Sequence, residues 1–150
     1  MKKVTNLLLL MALVAPVAFA ASHDHAGKAE APAAHAYKYK TPKLSRAQID
    51  ALLLKPDQLL IIDVRRPDEI SKIGSFPVYL NIQAKELESA LPFIPKDRNI
   101  VTVSNHAGRA GATADLLAEK GFTVVGAIGS QNYEEEGGKI TRITPPAPKK

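Results

Sequence analysis

In 150 residues, 20 Lys and Arg stand against 15 Asp and Glu, a formal net charge of +5, and there is no cysteine. A chain of this length holds one domain plus appendages. Without cysteine it can form no disulfide, no thiolate metal site and no protein persulfide. Its basic residues are scattered rather than gathered with aromatics on one element, which argues against nucleic acid as a partner.

Taken from the start, Met1-Lys2-Lys3 is a basic segment, residues 7–17 are apolar, and Ala18-Phe19-Ala20 has the small-x-small form of a cleavage site. Residues 1–20 therefore read as a secretory signal peptide, too short and too interrupted by Pro16 to anchor the chain in a membrane. The expected product is exported, periplasmic or secreted, with no membrane association after cleavage. Without Lys2 and Lys3 it carries 18 basic and 15 acidic residues, a formal net charge of only +3. Residues 21–42 are rich in Ala, Pro, His and Lys with no helical or strand period, and read as a flexible linker. It holds His23, His25 and His35. If cleavage follows Ala20, the new amino terminus Ala21-Ser22-His23 can wrap Cu(II) or Ni(II) in a square plane through the amine, two amides and the His23 imidazole. The alternative is three solvated histidines in a tail.

The folded domain is expected over residues 43–143. Ser45-Arg46-Ala47-Gln48 forms a capping box that opens a helix to about residue 54. The apolar run 59–64 reads as a central parallel strand. It leads into Asp63-Val64-Arg65-Arg66-Pro67-Asp68-Glu69, where Asp63 ends the strand and can accept hydrogen bonds. Arg65 and Glu69 are expected to pair across the turn begun by Pro67, as a structural ion pair. A strand is expected at 78–82 and a short amphipathic helix at 85–91. Ile100-Val101-Thr102-Val103 is a buried strand, followed by a polar loop, Ser104-Asn105-His106-Ala107-Gly108-Arg109, and a helix to Lys120 that Gly121 ends. Such a loop aims backbone N–H groups at one spot, the helix dipole favours an anion there, and Arg109 adds a positive charge. A last strand (123–128), a brief helix (131–136) and a polyproline-like tail (144–150) complete the chain. Alternating strands and helices predict an α/β fold, a central mostly parallel sheet with helices on both faces.

The strand, the loop ending in Arg109 and the helix resemble the active-site loop of rhodanese-like sulfurtransferases. That family usually reads Cys-Arg-x-Gly-x-Arg where this chain reads Ser104-Asn105-His106-Ala107-Gly108-Arg109. The loop length is similar to the sulfurtransferases rather than to the related phosphatases, whose loop is one residue longer. Asp63-Val64-Arg65 with Glu69 resembles the family's Asp-Val-Arg-x-x-x-Glu. Gly74, Pro77, Asn81 and Ile82 match its Gly-His-Ile-Pro-Gly-Ala-x-Asn-Ile, with Ser75 and Val78 in place of His and the second Gly. Tyr133 falls where the family has an aromatic residue.

The resemblance implies a rhodanese-like fold, and a persulfide carried by the cysteine that is Ser104 here. A serine hydroxyl stays protonated near neutrality and forms no stable persulfide analogue. The chain is therefore expected to be inactive as a sulfurtransferase, with no catalytic residue and no cofactor. What survives is anion binding. The loop N–H groups, Arg109 and the Ser104 hydroxyl can donate to sulfate, thiosulfate or phosphate, and the same face could dock a periplasmic protein. The alternative is an enzyme of the sulfurtransferase or phosphatase type with Ser104 as nucleophile, His106 as its base and Asp63 nearby.

Overall fold

The structure, a computed structural model, describes residues 36–142. The proposed signal peptide, the Ala21-Ser22-His23 site and the polyproline-like tail lie outside the described residues.

Burial of alternating apolar runs builds a four-stranded, all-parallel sheet in the order β2-β1-β3-β4. The strands are β1 (Leu59–Asp63), β2 (Leu80–Asn81), β3 (Asn99–Ser104) and β4 (Val124–Gly129). The central pair keeps one register from Leu59 opposite Asn99 to Asp63 opposite Val103. Successive side chains point to opposite faces. Ile61, Val101, Val103 and Ile128 join one core cluster, with Ile49 of α1 (Arg46–Leu53) and Tyr133 of α5 (Ser130–Glu135). Ile62 and Ile100 join the other, with Leu87 of α3 (Leu87–Ala90) and Leu117 of α4 (Gly108–Glu119). Helices thus cover both faces, as the alternation of elements predicts. Ser45 and Gln48 form the expected capping box on α1. Gly121, at φ +81, ends α4 by donating its N–H to the Ala118 carbonyl.

Three expectations change. The strand expected at 78–82 is only Leu80–Asn81 at the sheet edge. Pro77 has no N–H to donate to a ladder, and Ser75 bridges instead to Thr141 in the antiparallel sense. The helix expected at 85–91 is broken into a 3-10 turn (Ala84–Glu86), the four-residue α3 and a second 3-10 turn (Leu91–Phe93), where Pro92 removes one helical donor.

The third change concerns residues 36–42, which belong to the domain rather than to a linker. Ala127 donates its N–H to the Pro42 carbonyl and accepts the N–H of Leu44, at 3.0 and 2.9 Å. Asp115 of α4 accepts the N–H groups of Lys40 (3.0 Å) and Thr41 (2.7 Å) and the Thr41 hydroxyl (2.7 Å). Tyr37 and Tyr39 stack edge to face and lie against Gly111, where a Cβ would collide with the Tyr39 ring. The Tyr37 hydroxyl donates to the Thr41 carbonyl at 2.7 Å, and burial pushes its pKa up to about 12. The strap covers the small-residue surface of Ala110, Ala114 and Ala127.

Candidate functional site

The carboxyl ends of β1, β3 and β4 bring Asp63, Ser104 and Ser130 to one edge of the sheet. In an open parallel sheet this is the edge where ligand sites form. Its foundation is a buried ion pair. Asp63 and Arg65 are both 0% exposed in their side chains and meet at 2.6 Å. All five guanidinium N–H groups of Arg65 find acceptors. Nε and one Nη2 hydrogen reach the two Asp63 carboxylate oxygens, and the other Nη2 hydrogen reaches the Gly74 carbonyl. Nη1 donates to Ser130 Oγ (3.0 Å) and to Asn105 Oδ1 (3.1 Å). Ser75 Oγ donates to Asp63 Oδ2 at 2.6 Å, and Asn81 Nδ2 donates to the carbonyls of Asp63 and Arg65. A buried charge pair is tolerated only when satisfied in this way.

Arg65 therefore does not pair with Glu69, as the sequence suggested. Its guanidinium turns inward, where Asp63 needs a counter-charge, and Glu69 turns the other way. Glu69 lies in the first turn of α2 (Pro67–Ile73), whose fixed start at Pro67 exposes the Arg66 N–H. Glu69 Oε2 accepts that N–H at 3.1 Å. The same carboxylate accepts from Arg109 twice, Nη1 to Oε2 at 2.9 Å and Nη2 to Oε1 at 2.6 Å. Asn105 Nδ2 adds a bond to Oε1 at 2.9 Å. The Arg109 guanidinium, with help from the Arg66 N–H, holds the Glu69 carboxyl down at about 2 and is itself raised above its ordinary value. The positive charge expected to face a ligand from Arg109 is thus already matched by Glu69.

Ser104 ends β3 with 1% exposure, and its Oγ accepts the Ala110 N–H at 3.0 Å. Ala107 then takes the left-handed conformation at φ +60, at the position where the family it resembles usually has glycine. A side chain there costs about 1 kcal/mol or more. The loop sits directly on the start of α5. The Asn105 backbone carbonyl accepts the Gln131 N–H at 3.1 Å, and a Cβ on Gly129 would meet that same carbonyl oxygen and the Ala107 backbone nitrogen at 2.7 and 2.8 Å. Among the described residues, the N–H groups of His106, Ala107, Gly108 and Arg109 have no protein acceptor. They are the orphan donors of the α4 amino terminus and the turn before it.

His106 is exposed and shares no hydrogen bond with Ser104, while Asp63 is committed to Arg65 and Ser75. The serine, histidine and aspartate therefore do not assemble as a catalytic triad. Among the described residues, no group of three His, Asp or Glu side chains could hold a metal ion. Sequence reasoning missed three roles here. Asn105 bridges Arg65 to Glu69, Ser75 takes the second Asp63 oxygen, and Ser130 caps Arg65. Small polar residues leave no periodic signal, so only the fold could show them.

Comparison with known proteins comes to the same fold. The family model of the rhodanese-like domain matches residues 45–130. A rhodanese-related protein from Thermoplasma volcanium is 25% identical, with a TM-score of 0.58, over 66% of this chain and 96% of that one. A thiosulfate sulfurtransferase from Pseudomonas aeruginosa is 25% identical, with a TM-score of 0.55, over 68% of this chain and 20% of its own. The polysulfide-sulfur transferase homodimer of Wolinella succinogenes shares the fold at 24% identity and a TM-score of 0.56, over 71% of this chain and 82% of that chain. Among curated proteins, none matches this sequence.

Proposed function

We propose that this chain, which belongs to the rhodanese-like domain family, is an exported binding module that holds a small oxyanion without turning it over. The ligand class is sulfate, thiosulfate or phosphate, and the site is the loop Ser104 to Arg109. What supports this is the row of N–H groups from His106 to Arg109 that have no acceptor among the described residues. Together with the α4 dipole they favour negative charge. Catalysis is set aside on chemical grounds. At the cysteine position the chain has Ser104, whose oxygen cannot carry a sulfane sulfur, and among the described residues no base is hydrogen-bonded to it. Export rests on the pattern of residues 1–20, and the mass of the mature amino terminus checks it.

The test pairs two measurements on the native chain. Thiosulfate:cyanide sulfurtransferase activity should be absent, and titration calorimetry with sodium sulfate should show saturable binding. Turnover by the native chain, or no sulfate binding at any concentration below ~0.1 M, where nonspecific screening takes over, would refute the reading.

A further inference from the structure

Around Glu69 lies a set of donors that exceeds what a helix start needs. One accepted N–H, that of Arg66, would complete the first turn of α2. Glu69 instead takes four hydrogen bonds over its two oxygens, adding Arg109 Nη1, Arg109 Nη2 and Asn105 Nδ2. We infer that Arg109, Asn105 and the Arg66 N–H form an anion subsite beside the loop, that Glu69 is its built-in occupant, and that an incoming oxyanion gains the Arg109 charge only by displacing Glu69. This inference rests on the reading of the loop as an oxyanion site and adds its regulation.

The donors are set independently of Glu69. Asn105 is fixed from behind, because its Oδ1 accepts from the fully buried Arg65, so Nδ2 stays aimed at the subsite whether or not Glu69 is there. The Arg66 N–H is fixed by the start of α2 at Pro67. The Arg66 guanidinium makes its two 2.9 Å bonds to Asp68 and comes only to 3.5 Å of Glu69 Oε2. Arg109 reaches Glu69 on a long side chain that is 42% exposed, against 14% for Glu69. Two fixed donors and one bidentate one make a receptor for an anion with at least two oxygens, a carboxylate or a tetrahedral oxyanion. An internal carboxylate already on those donors lowers the apparent affinity for any external anion by the fraction of molecules it keeps closed.

Sulfate titration of the native chain, Glu69→Gln and the double variant Glu69→Gln/Arg109→Ala tests this. Glutamine keeps the shape but gives up the charge. Its sulfate affinity should rise at least about tenfold over the native chain, as expected if Glu69 closes most molecules, and the double variant should lose that gain. Glu69→Ala gives a second readout that needs only a folded fraction: its Tm should climb with added sodium acetate, which replaces the missing carboxylate, while the native Tm does not. Native and Glu69→Gln chains that bind sulfate equally, or a Glu69→Ala Tm indifferent to acetate, overturn the self-occupied subsite and leave the loop reading standing. Failure of every form to bind sulfate overturns both.

Discussion

Replacing Arg65 by methionine removes the centre of the site while keeping most of its apolar volume. The structure sets the scale of the loss. Asp63 would remain 0% exposed with Ser75 and the Arg65 backbone N–H as its remaining donors, and Gly74, Ser130 and Asn105 would each lose a bond. Leaving one member of a buried ion pair without its partner costs about 3–5 kcal/mol. Domains of this size hold a total of about 5–15 kcal/mol, so the variant sits near the edge of folding. Urea denaturation followed by circular dichroism measures it. With a slope of about 2 kcal/mol per molar, the midpoint should fall by roughly 2 M at unchanged slope. Asp63→Leu combined with Arg65→Met should recover much of that fall, because no charge is then stranded. Arg65→Lys should lie between, since an ammonium cannot supply the planar fork that reaches both Asp63 oxygens. A midpoint that drops by less than roughly 0.5 M in Arg65→Met would refute the claim that this pair underpins the site.

Three other outcomes follow from the same structure. Glu69 has an ordinary carboxyl value of 4.5 and sits at about 2 in the fold. The stability its pairing adds is therefore complete above about pH 4.5 and is lost as pH falls toward 2; Glu69→Gln should flatten that acid limb in a Tm-against-pH series. Gly129→Ala places a methyl against the Asn105 oxygen and the Ala107 nitrogen, so it should destabilise by about 1–3 kcal/mol and shift the amide resonances of the loop; an unchanged loop spectrum contradicts the seating described above. Asp115→Ala removes the acceptor of two strap N–H groups and the Thr41 hydroxyl, and hydrogen exchange at Lys40 and Thr41 should speed up while that of β3 stays the same.

Long apolar runs were legible in the sequence because burial on both faces leaves few alternatives: the run 59–64 contains one central strand, Leu59–Asp63, and the run 100–103 lies within the other, Asn99–Ser104. The capping box at Ser45 and the Gly121 stop also followed from local chemistry. The edge was harder. Residues 78–82 look like a strand, but an edge segment after Pro77 has one neighbour at most, and only Leu80 and Asn81 pair. The strap at 36–42 was missed because its stability comes from contacts far along the chain, Asp115 and Gly111, which composition cannot report. The partners of Arg65 and Glu69 were misassigned for a related reason. Spacing places both near the turn, but the buried carboxylate of Asp63 competes for Arg65 and wins.

The departures from the family pattern in the loop are not equivalent to one another. Ser104 is held by accepting the Ala110 N–H, a bond that a cysteine thiolate would accept as well, so Ser104→Cys changes the nucleophile and leaves the backbone where it is. Asn105 differs, because it serves Arg65 with its oxygen and Glu69 with its nitrogen. Arginine there has no acceptor to offer Arg65 and would bring a second cation beside it. Ala107 already takes the left-handed conformation of the glycine it replaces, so the turn is kept in shape at some cost in strain. The loop geometry is thus set by the backbone and the Asp63–Arg65 network rather than by the residue at position 104. Ser104→Cys alone should accordingly gain sulfurtransferase activity. If it remains silent while Ser104→Cys combined with Glu69→Gln is active, the closed Glu69–Arg109 pair, rather than the loop, is what keeps thiosulfate out.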